Sequence, residues 1–147
     1  MKKKLIYFVI FIIYLLVVLK LTIFRNGFCY DERQLNLSLF INYKNMGTGQ
    51  FIWLFFGNIG WFVPFGLLLP ALLKNNKFGR VAAFGFMFSF VIESIQFFSR
   101  KGMAELDDLI LNTLGVVIGY FLYKLIKQTT TAPGRKSCGL SSRHLPR

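Results

Sequence analysis

The sequence predicts an all-α membrane protein, a bundle of four transmembrane helices with both termini in the cytoplasm. Three observations lead there. Of the 147 residues, 54% are hydrophobic and only 16% charged, with a mean hydropathy of +0.52. Charge this sparse cannot cover the surface of a water-soluble domain of that size, so the bilayer must cover it. The apolar residues fall into four runs, each near the roughly 20 residues that a helix needs to cross about 30 Å of hydrocarbon. The lysines and arginines are also distributed unequally between the segments that join these runs.

The first run, Leu5 to Phe24, is broken only by Lys20, which lies close enough to one end to extend its ammonium to the interface. The second, Phe51 to Leu73, contains Asn58 and two prolines, Pro64 and Pro70. Membrane helices tolerate proline because neighbouring helices and water satisfy the freed carbonyls. The third, Val81 to Phe98, carries Ser89, Glu93, Ser94 and Gln96. The fourth, Leu109 to Ile126, carries Asn112, Thr113 and Lys124.

With the N-terminus inside, twelve of the 18 Lys and Arg residues are cytoplasmic, at positions 2–4, 74–80 and 124–147. The outer loops then hold Arg25, Arg33, Lys44, Arg100 and Lys101, together with or beside all six acidic residues. This asymmetry sets the orientation. It also accounts for the +12 net charge without a nucleic-acid partner, for which a soluble basic face would be required. The Lys-rich start resembles a signal peptide, but no small-x-small cleavage site follows, so the first span is expected to be retained.

Residues 1–128 form one membrane domain in this reading, and 129–147 a disordered, basic cytoplasmic tail that anionic lipid attracts. Cys29 lies in the outer loop and Cys138 in the tail, on opposite sides of the membrane. Neither has the neighbours of a metal site, His144 stands alone in the tail, and no cofactor motif occurs.

The chemistry concentrates near the outer face. A carboxylate inside a span is unfavourable by several kcal/mol unless it is paired or neutralised, which singles out Glu93. Glu93, Gln96 and Arg100 share one face if the third helix continues to Arg100, and Asp108, Asn112, Gly115 and Gly119 form a stripe on the fourth. Gly115-x-x-x-Gly119 permits close helix approach. Asn58 lies at similar depth on the second helix, so three helices offer Asn58, Glu93, Gln96, Asp108 and Asn112 to a shared pocket, with Arg33 and Arg100 above it. Packing hydrogen bonds explain Asn and Gln equally well, and the positions of Asp107 and Asp108 suit a helix cap. Asp107 turns about 100° away from the Asp108 stripe, so its loss is expected to be the milder of the two.

Four segments together resemble the VanZ-like family: Asp31-Glu32-Arg33-Gln34-Leu35-Asn36-Leu37, Asn58-Ile-Gly-Trp-Phe-Val-Pro64-Phe-Gly66, Ile92-Glu93-Ser-Ile-Gln96, and Asp107-Asp108 through Asn112-Thr113 to Gly119-Tyr120. The resemblance covers about Arg25 to Tyr123. Ser38 stands where family members often have proline, and Arg100-Lys101 precedes Gly102 where the family's arginine often follows a glycine. The resemblance implies a small multi-pass protein of the bacterial plasma membrane, and the family's namesake confers low-level teicoplanin resistance.

Three functions are consistent with the polar cluster. The first is an envelope protein that binds a lipid-linked or cell-wall group, with Arg33 and Arg100 meeting phosphate or carboxylate. The second is an intramembrane enzyme acting on a lipid-linked phosphate, with Glu93 as base; the chain shows no identifiable nucleophile. The third is a small proton-coupled transporter, which four helices would support as a homo-oligomer.

Overall fold

A computed structural model describes residues 2–23, 31–40 and 47–131 of the chain. Within them the order is α1 (Lys2–Ile23), β1 (Gln34–Asn36), α2 (Thr48–Leu72), α3 (Phe78–Ser99), β2 (Met103–Glu105) and α4 (Leu106–Thr131). All four helices are long and apolar enough to cross a membrane. Each begins about three residues before the apolar run that predicts it, because a helix continues through its interfacial turns. The fourth also continues past the expected boundary at residue 128, through Thr131. Arg25, Cys29, Lys44 and the tail with Cys138 and His144 lie outside the described residues.

The two best-packed helices, α2 and α4, run parallel. Gly115 lies against the Ile59 carbonyl, Gly119 against the Val63 carbonyl, and Gly66 against the Val116 carbonyl. These three glycines bring backbone to backbone, the geometry that the Gly-x-x-x-Gly stripe predicts. On α4 the buried positions Leu111, Asn112, Gly115, Val116, Gly119 and Tyr120 recur with helical period. The third helix packs antiparallel to α4, where Gly85 accommodates the Val116 side chain. Phe62, Phe65 and Phe88 fill the centre, with the Phe65 and Phe88 rings stacked at 5.3 Å.

The first helix joins through fewer contacts. Phe11 meets the edge of Phe65 at 5.4 Å, and the Tyr14 hydroxyl donates to the Trp61 carbonyl at 2.6 Å. Pro64 and Pro70 both lie inside a continuous α2, as expected where packed neighbours support the backbone. Leu and Phe side chains elsewhere on the four helices remain exposed in the isolated chain. For a bilayer-spanning bundle that exposure is lipid contact.

At one end of the bundle the chain forms a structure that helical patterning does not predict. The strands β1 and β2 pair in parallel, with Gln34 opposite Met103, Leu35 opposite Ala104 and Asn36 opposite Glu105. Just beyond β1, the Ser38 amide donates to Asn36 Oδ1 at 3.0 Å. Proline at that position has no N–H to donate, so the Ser38 departure has a direct structural consequence.

Candidate functional site

Glu93 lies on the face of α3 that turns toward the start of α4. It is 8% exposed, and its Oε2 accepts from the Glu105 amide at 3.0 Å. That amide belongs to β2, immediately before α4, where helix-start N–H groups point toward negative charge. The carboxylate therefore joins α3 to the two-stranded sheet.

Beside it opens a cavity of about 310 Å³, bounded by α3, the first turn of α4 and both strands. Phe90, Phe97, Phe98 and Leu109 form much of its wall, Leu35 and Leu37 close it from β1 and its exit, and the polar lining is Glu93, Ser94 and Glu105. On its margin Arg33 sits over the Phe97 and Phe98 rings, 5.8 and 5.6 Å from their centres. An apolar slot with hydrogen-bond acceptors in its wall and a cation at its edge suits an amphiphile. Among the described residues no group of three or more metal-binding side chains occurs.

The remaining candidates are distributed among neighbouring contacts. Asn58 donates to Asp108 across the α2–α4 seam. Asn112 donates to the Ser89 hydroxyl at 2.9 Å, and Ser89 lies one turn before Glu93 on the same face of α3. Gln96 turns toward α1 and donates to the Thr22 carbonyl at 3.0 Å, while its buried Oε1 has no partner among the described residues. The third helix ends at Ser99, and Arg100 adopts a left-handed conformation, φ 57°. Arg100 therefore leaves the helical face expected for it, and its guanidinium donates to the Asp31 carbonyl at 3.1 Å. Of the candidates, Glu93 alone lines the cavity, with Arg33 at its margin.

Three residues outside the predicted shared pocket also matter here. Glu105 shares the cavity wall with Glu93, Ser89 is the fully buried partner of Asn112, and Asp107 is 1% exposed. Both Asp107 oxygens accept from the Phe40 amide, at 3.1 and 2.9 Å. The helical period correctly turns Asp107 away from the Asp108 stripe, but it turns it onto a loop anchor. Ser89 was within reach of the sequence, since it lies four residues before Glu93.

The sequence pattern of the VanZ/LLP1 family matches residues 11–127. Protein VanZ of Enterococcus faecium is 34% identical over 119 residues, which cover 77% of this chain and 70% of that protein. No solved structure matches.

Proposed function

The chain belongs to the VanZ/LLP1 family of multi-pass membrane proteins, and from that premise we propose that it binds an envelope lipid or lipid-linked cell-wall group at the outer face of the bacterial plasma membrane. Through that binding it contributes to resistance against teicoplanin-type glycopeptides. The strand end of the bundle faces outward in this reading, because the Lys and Arg excess lies at the other end. Accordingly, a membrane-impermeant thiol reagent applied to intact cells is expected to modify Cys29 and spare Cys138. The reverse labelling would invert the bundle.

One observation carries the reading: Glu93, a buried carboxylate, lines an apolar cavity beside the sheet. A hydrocarbon chain lies along Phe90, Phe97, Phe98 and Leu109, held there by van der Waals packing against the rings rather than by transfer out of water, since the chain comes from the bilayer. Glu93 and Glu105 accept hydrogen bonds from hydroxyl or amide groups near the head of the ligand. Arg33 meets its phosphate or carboxylate.

The test compares two substitutions at equal membrane abundance. Glu93→Gln keeps an acceptor for the Glu105 amide but removes the charge, so the protein is expected to fold and accumulate while teicoplanin resistance falls to the background level. Glu93→Leu removes both the charge and the acceptor and is expected to lose stability by about 1–3 kcal/mol as well. Undiminished resistance with both variants would remove Glu93 from the function. Native mass spectrometry of the wild-type protein is expected to retain a lipid-linked cell-wall precursor, distinguished by its mass from bulk phospholipid, and Glu93→Gln to release it.

A further inference from the structure

The opposite end of the bundle holds a second cavity, of about 370 Å³, between α1, α2 and α4. It opens where α1 separates from the core. Phe11 and Tyr14 hold α1 against Phe65 and Trp61, and one turn closer to the N-terminus Tyr7 lines the gap instead. Leu67, Leu68 and Ala71 form an apolar floor, while Tyr123 and Lys127 stand on the α4 side.

This mouth is built for an anion. The Asn76 side chain donates to the Tyr123 hydroxyl at 3.1 Å, which fixes the ring and leaves the hydroxyl proton available to donate. Lys127 Nζ lies 5.9 Å from the centre of that ring, so a positioned ring directs the cation. Charge at this end is of one sign. All six carboxylates of the sequence lie between Asp31 and Asp108, toward the strand end, whereas Lys74, Lys77, Arg80, Lys124 and Lys127 flank this end. Tyr at the level of the helix ends is also where an aromatic ring meets the headgroup layer.

We infer that this cleft holds one anionic phospholipid, its phosphate at Lys127 and Tyr123 and one acyl chain over Leu67, Leu68 and Ala71. The site is separate from the Glu93 cavity and lies in the other leaflet. An anionic headgroup there meets an end of the bundle that carries basic and no acidic side chains, and the chain fills the wedge between α1 and α4, so the bound lipid fastens the least-packed helix to the bundle.

The full-length protein in detergent is titrated with phosphatidylglycerol, and separately with phosphatidylcholine of the same chains, and discrete adducts are counted by native mass spectrometry. Phosphatidylglycerol is expected to bind as one preferred adduct. Lys127→Gln should weaken it about fivefold, the effect of removing one lysine near an anionic headgroup. Lys77→Gln, at the same end but outside the cleft, should leave it unchanged, and so should Glu93→Gln. Ala71→Phe, which fills the floor while retaining Lys127, should also weaken the adduct. Equal losses with Lys127→Gln and Lys77→Gln would reduce the effect to diffuse attraction and overturn the site. So would equal affinity for phosphatidylcholine, an adduct indifferent to Ala71→Phe, or one lost with Glu93→Gln.

Discussion

Gly119→Leu and Gly66→Ala are expected to be the most damaging small changes in the membrane domain. A Cβ at Gly119 overlaps the Val63 carbonyl oxygen and comes within 3.0 Å of the Gly66 Cα; a Cβ at Gly66 overlaps the Val116 carbonyl oxygen. The obstructing atoms are backbone, which cannot rotate aside as a side chain can, so the two helices must separate. Overpacking of a core typically destabilises by about 1–3 kcal/mol, and a backbone obstruction belongs at or above the top of that range. Separation of α2 from α4 also breaks the Asn58–Asp108 contact in the same seam. Melting in detergent and the membrane level at fixed expression measure the loss.

Two controls make that expectation specific. Gly60 lies on the same helix with nothing within 4 Å of its would-be Cβ, so Gly60→Ala should be neutral or stabilising, since alanine gains about 1 kcal/mol over glycine in a helix. At Gly85 the three nearest atoms all belong to the Val116 side chain, its methyl groups at 2.5 and 2.7 Å and its Cβ at 2.9 Å. The loss in Gly85→Ala should therefore be recovered in part by adding Val116→Ala, whereas no such partner exists for Gly119. A Gly60→Ala loss as large as that of Gly66→Ala would refute the close-approach account.

The spans and the glycine seam were legible because both are properties of periodicity. An apolar run of span length has few alternatives in a bilayer, and Gly115 and Gly119 stand on one stripe with Asp108. Equal depth on opposed or parallel helices even brought Asn58 to the level of Asp108, with which it pairs. Azimuth was not legible. Whether Gln96 faces α4 or α1 depends on how α3 is rotated in the bundle, and the Thr22 carbonyl receives it on the α1 side. The strands escaped notice because Gln34–Asn36 and Met103–Glu105 are three residues each, too short for alternation to register. The cavity escaped with them, since its walls include Leu35, Leu37 and Ala104 from that sheet. Arg100 departed from its expected face because a left-handed residue ended the helix, and a nonglycine in that conformation gives no composition signal.

The same limit reverses the expectation for the acidic pair at the start of α4, and the reversal gives the second large effect. Helical spacing marked Asp107 as the milder of the two, yet it is the more completely buried carboxylate, and both its oxygens hold the Phe40 amide. Phe40 itself is left-handed, φ 54°, a conformation that persists in a nonglycine residue only where its surroundings hold it. Asp107→Ala removes a charge-assisted hydrogen bond and the favourable charge in the first turn of α4, an expected loss of about 2–3 kcal/mol. Asp107→Asn retains one acceptor oxygen and should lose less. Asp108 is only partly buried, so Asp108→Ala should fall below Asp107→Ala. The loss also has a location. Release of Phe40 frees the segment that carries Leu37 into the cavity wall, so amide exchange should rise across residues 35–40 while the α2–α4 seam stays protected. Teicoplanin resistance should then fall with Asp107→Ala even at restored membrane levels, because the cavity has lost its cover. If Asp108→Ala proves the more damaging, or if exchange rises evenly over the bundle, Asp107 is an ordinary helix cap and the segment 35–40 is held by other contacts.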